Sequence, residues 1–198
     1  MKQFFGMSQR GRIEEAVSGI KNPQFLMLMS NAAQFEAHVK TLEKLYPGVP
    51  SIGCIGMSYD TRVVEQGVGV IAFSGGVNVR ANVLEQVSVM PVKYIHRLEE
   101  DIQRVGGTDR DTVCIDFCTG NDACALTTIH TALRKNRISL VGGTGDAGKV
   151  SANGKIYQDA VAYALVKNGN GRVKTYKENI YHPYGNYRFI ASNTDKAN

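Results

Sequence analysis

The residues best suited to chemistry in this chain stand where apolar runs end. Cys54 closes the run Val49–Cys54 and leads into Gly56-Met57-Ser58. Gly143-Thr144-Gly145-Asp146 follows a second run, Ile138–Val141, which reads as a buried strand. Glycine lets the backbone approach another group with no Cβ in the way, and successive N–H groups in such a turn can converge on an anionic atom. Asn31 and Asn121 stand at helix starts, whose free N–H groups and positive dipole end suit a carboxylate. Asp122 and Asp146 lie beside glycine-rich segments and could receive an ammonium group. Each feature also has an ordinary structural reading: glycine clusters make tight turns, Asp122 favours a helix start, and Asp146 stabilises a loop. The expected ligand-binding set is Asn31, Cys54, Gly56, Ser58, Asn121, Asp122, Gly143, Thr144, Gly145 and Asp146, with no catalytic residue and no metal ligand assigned.

Other chemistries fit less well. Gly143 to Val150 reads G-x-x-x-x-G-K-V, but a phosphate-binding P-loop needs Ser or Thr after the Lys, and it runs into a helix. Here Asn153-Gly154 follows, a hairpin signal. Cys114, Asp116 and Cys118 alternate along a strand and share one face. With no C-x-x-C pair they read as buried small residues, although a carboxylate in an apolar strand must find a partner or neutralise. Cys54 could serve as the nucleophile of a hydrolase or transferase given a nearby His. Yet His38, His96, His130 and His182 sit in no recognisable signature, and His38 and His130 read as structural.

The totals agree with an ordinary globular domain. The chain has 198 residues, 43% hydrophobic and 21% charged, with a net charge of +5. Its Lys and Arg residues are scattered, without the dense basic and aromatic clustering of a nucleic-acid binder. No signal peptide and no apolar stretch of membrane-spanning length is visible. The four cysteines therefore point to reduced thiols in the cytoplasm. No cofactor is expected.

The positioning elements alternate. A helical lead-in occupies 1–22, with Ile13, Ala16, Val17 and Ile20 on one face. Phe25–Met29 reads as a central strand, followed by a helix carrying Phe35, Val39, Leu42 and Leu45, then the strand Val49–Cys54. Val68–Phe73 and Val77–Val89 read as strands joined by a hairpin at Ser74-Gly75-Gly76. After a linking helix, 91–105, closed by Gly106-Gly107, come the strand Val113–Phe117, the helix Asn121–Leu133, the strand Ile138–Val141, and the strands Lys155–Tyr157, Ala160–Val166 and Arg172–Asn179. The order repeats over about 23–89 and 111–180. This predicts an α/β (α+β) fold of two β-α-β-β-β halves, with mixed sheets and helices on their faces. The cleft is expected where the halves meet.

The segments Ile52-Gly53-Cys54-Ile55-Gly56, Leu140-Val141-Gly142-Gly143-Thr144-Gly145-Asp146, Ala160–Val166 and Tyr181-His182-Pro183-Tyr184-Gly185 occur in an order that resembles FIST domains. The likeness runs over about 25–187 and rests on order and spacing, since each motif is short. It implies a bacterial intracellular sensory domain of the kind attached to chemotaxis receptors, histidine kinases or cyclic-dinucleotide enzymes, binding a small ligand such as an amino acid. It implies no catalytic residues. Its implied partners are a C-terminal FIST segment and a signalling output module, with a homodimer also open. Gly56 is followed here by Met57-Ser58-Tyr59, where many members carry further small or acidic residues. The domain is expected over 23–190, and 191–198 reads as a polar boundary tail. A non-catalytic scaffold is the remaining alternative.

Overall fold

The computed structural model describes residues 1–56, 58–59, 62–120 and 122–176, with the backbone alone at Ser58, Tyr59, Arg62, Val63 and Asp122. Asn121, the Tyr181–Gly185 motif and the 191–198 tail lie outside the described residues.

The strands are β1 (Lys2–Ser8), β2 (Phe25–Ser30), β3 (Ser51–Ile55), β4 (Ser58–Tyr59), β5 (Arg62–Val63), β6 (Val68–Ser74), β7 (Val77–Glu85), β8 (Thr112–Cys118), β9 (Ser139–Thr144), β10 (Val150–Ala152), β11 (Lys155–Tyr157) and β12 (Ala160–Asn168). The α-helices are α1 (Ile13–Val17), α2 (Phe35–Leu45), α3 (Ile95–Val105) and α4 (Asp122–Arg134). A first sheet has the order β1-β6-β2-β3-β10-β11 and a second β7-β12-β8-β9, with β4-β5 a separate pair.

Strand alternation explains the layering. In β12, Ala160, Ala162, Ala164 and Val166 join a core containing Phe25, Met27, Ile52 and Cys54 of the first sheet. The intervening Val161, Tyr163 and Leu165 pack instead with Leu98, Ile102 and Ile129 of α3 and α4. On the other side, Leu26 and Leu28 of β2 pack with Ile13, Phe35, Val39 and Leu42 of α1 and α2. Two sheets thus lie face to face, each with helices on its outer side, an α+β sandwich of four layers.

Each sheet holds the same three-strand unit. β2 and β3 are parallel with β6 antiparallel on the far side of β2. β8 and β9 are likewise parallel, with β12 antiparallel on the far side of β8. The turn at Asn153-Gly154, φ 48° and 75°, joins β10 to β11 as the sequence signal implied. Gly106 ends α3 in the left-handed conformation, φ 65° and ψ 41°.

Four expectations change. Ser74-Gly75-Gly76 is a crossover, because both edges of β6 are taken by β1 and β2 and β7 joins the other sheet. The lead-in is not only helical: β1 pairs with β6, and the α-helix shortens to Ile13–Val17. Residues 172–176 carry no strand, and 177–179 lie outside the described residues. The strand that begins at Ser139 is not buried. Its glycines continue it to Thr144, and all of it but Leu140 is exposed.

Candidate functional site

The first half contributes the ends of β2 and β3. Asn31 follows β2 and is 4% exposed. Its Oδ1 accepts the Gln34 N–H at 2.9 Å, and its Nδ2 donates to the carbonyls of Gln66 and Gly67 at 3.1 and 3.2 Å. The side chain is thus engaged in holding the start of α2 against the approach to β6. Gly56 donates its N–H to the Ser30 carbonyl at 3.0 Å, closing the end of the parallel pair. Ser58 opens β4.

Cys54 points into the core between the sheets. Burial, and secondarily the Asp146 charge, push its thiol up to about 12. A thiol held there stays protonated at neutral pH and is a poor nucleophile. The imidazole of His38 is committed elsewhere, with Nδ1 2.7 Å from the Ser30 hydroxyl and Nε2 2.8 Å from the Gly11 carbonyl. Burial depresses its pKa, and the neutral ring donates Nε2–H to Gly11 and accepts from Ser30. This is the structural histidine that the sequence suggested.

The second half brings its loop to the same place. The Gly145 N–H donates to the Cys118 carbonyl at 2.9 Å, where β8 ends. A Cβ built on Gly145 would lie 2.9 Å from Cys54 Cβ and 3.3 Å from the Ile55 carbonyl oxygen. The bare backbone at 145 therefore lets one half touch the other. Asp146–Gly148 forms a short 3-10 turn, and Lys149 beyond it pairs with Glu36 on α2 at 2.9 Å. That contact joins residues far apart in sequence, and no local signal announces it. Gly143, Thr144 and Asp146 are exposed, while Asp122 begins α4.

Asp116 is resolved differently from a pocket carboxylate. It is 1% exposed and accepts the Cys118 thiol at 3.2 Å. A Cβ on Gly142 would fall 2.0 Å from its backbone oxygen and 2.3 Å from its Oδ1. The missing side chain at 142 is what leaves room for this carboxylate in the second sheet. Among the described residues no group of three His, Cys, Asp or Glu gathers as a metal site.

The meeting point thus assembles Cys54, Gly145 and Asp146 from opposite sheets, with Gly143 and Thr144 leading into it. Hollows of 370 and 640 Å³ lie elsewhere, one lined by Glu43, Arg80, Asn82 and Asn153, the other beside β9. Among the described residues no helix is long and apolar enough to cross a membrane. No curated protein matches the chain. Residues 24–196 match the FIST N domain, beginning just after α1 and running through both sheets. The chain therefore belongs to the FIST N domain family, whose members are sensory domains of signal transduction.

Proposed function

We propose that this domain is the ligand sensor of a bacterial signalling protein in the cytoplasm, taking a small polar metabolite, with an α-amino acid as the leading class, where its two sheets meet. The observation that carries this reading is the contact of Gly145 with Cys54, which sets an exposed loop of one half over the end of β3 in the other. Asp146 supplies a carboxylate for an ammonium group, and the start of α4 supplies N–H groups for an acid. A guest held by both halves biases the domain only through unequal affinity for two arrangements of them, and the change passes to an output module.

The test is a thermal-shift screen of amino acids and nucleotides, since a ligand that binds the folded state alone raises Tm by mass action. A hit whose calorimetric affinity falls in Asp146→Ala and Asp122→Ala, with the fold intact, supports the reading. Unchanged affinity in both variants rejects the site. A silent screen favours a scaffold.

A further inference from the structure

The 370 Å³ hollow shares no residue with the Cys54–Gly145 contact, and both halves build it. α2 and the loop after it supply Glu43 and Gly48, β7 supplies Arg80 and Asn82, and the β10–β11 turn supplies Asn153. Asn153 ties the two sheets together at this point. Its Oδ1 accepts the Ser51 N–H at 3.1 Å, and its Nδ2 donates to the Ala81 carbonyl at 3.0 Å. Pockets favour such junctions between substructures.

Two opposite charges line this hollow, and each is positioned by its surroundings. Glu43 is half-buried and accepts the Gly48 N–H at 3.2 Å. Its stem lies against the bare face of Gly154, where a Cβ would fall 2.8 Å from Glu43 Cγ. Arg80 stands with Nε 3.5 Å from Asp101 Oδ1, on a side chain that is 2% exposed. Asp101 is itself fixed: Tyr163 and Asn82 donate to its other oxygen at 2.7 and 3.1 Å, and Arg104 Nη1 lies 3.9 Å from Oδ1. The buried carboxylate thus orients the guanidinium through its Nε side. The two terminal amino groups of Arg80 take no hydrogen bond among the described residues, and such a fork matches the two oxygens of an acid. Arg80 and Glu43 are not paired with each other, so one guest must carry both charges to satisfy both side chains.

We propose that this hollow is a second binding site, independent of the one above, for a short zwitterion whose acid sits on the fork of Arg80 and whose ammonium group sits on the Glu43 carboxylate. A guest held there links α2 of one half to β7 of the other.

The probes are glycine, 4-aminobutyrate and 6-aminohexanoate, which set the two charges progressively further apart, with butyrate and butylamine as singly charged controls. Each is titrated into the ¹⁵N-labelled full chain, and amide shifts are followed at Ala81, Asn153 and Gly154. The expected result is that at least one zwitterion moves these amides with a Kd of about 1 mM or tighter, while neither control does. Arg80→Gln and Glu43→Gln should each weaken that binding roughly tenfold. Lys44→Gln, beside Glu43 but outside the hollow, should leave it unchanged. Asp101 keeps Tyr163, Asn82 and Arg104 in Arg80→Gln, so that variant retains its fold. Three results overturn the proposal: no zwitterion binds, a singly charged control binds as well, or affinity is unchanged in both variants. Shifts confined to residues 145–148 also overturn it, because they report the other site.

Discussion

β3 and β9 occupy the same place in their two sheets and meet opposite fates. Each is the second strand of a parallel pair, reached through a helix. After β9, however, the chain leaves its own sheet, and β10 lies down beside β3. β3 therefore becomes an interior strand with Ile52, Cys54 and Ile55 buried, whereas β9 is exposed along most of its length. Two apolar runs that end in glycine are equivalent as strands and unequal as core. Local pattern sets the pleat, and the neighbour in space sets the burial.

The contrast is broken most sharply at the glycines. Gly142→Ala would drive a Cβ into the Asp116 backbone oxygen, and should lower unfolding stability by about 3 kcal/mol, the upper end of overpacking costs. Gly145→Ala meets Cys54 Cβ less closely and should cost about 1–2 kcal/mol. Gly143→Ala has nothing within 4 Å and should stay within roughly 0.5 kcal/mol of the parent. Urea unfolding of the three variants checks the ranking. Equal losses at 142 and 143 would mean that β9 does not lie on β8 as described.

A second pair of measurements probes the first sheet alone. The neutral His38 ring has a depressed pKa, so between that value and the ordinary 6.5 the unfolded chain binds the extra proton. Stability should therefore fall as pH drops through that window and level above it. His38→Phe should flatten this part of the profile while lowering stability at pH 8 by about 1–3 kcal/mol, because Ser30 and the Gly11 carbonyl lose a buried partner. An unchanged acid limb would place its cause in other groups.

The smallest perturbation is chemical. Cys54, Cys114 and Cys118 are buried and Cys124 is exposed. Iodoacetamide at pH 8 should label one thiol in the folded chain and four in urea. Rapid labelling of Cys54 would contradict a thiol raised to about 12 and would reopen the nucleophile reading.

Much of this was readable from residues. Ala160–Val166 already reads as a strand, Gly106 marks the end of α3, and Asn153-Gly154 marks a hairpin. The convergence of Cys54 with Gly145 followed from placing a glycine loop after the second strand of each half. What the residues did not contain was partnership. A period of two says which side chains share a face, but not which sheet a strand joins, so Ser74-Gly75-Gly76 looked like a hairpin and Ile138–Val141 looked buried throughout, although only Ile138 is. Asp116 was legible as an oddity only. Its accommodation depends on Gly142 in a neighbouring strand, a relation that exists only after β8 and β9 pair.

The crossings between sheets have a consequence for how the domain is made. The six-stranded layer is completed by β10 and β11, which come from late in the chain, and β12 rests on β7, which comes from early in it. The first sheet stays open along β3 until residues 150–152 are made, and the second lacks its central strand until 160–168 are, so a ribosome that has released only the first hundred residues has completed neither layer. Assembly waits for the last strands, and heat should undo both layers together in one cooperative event.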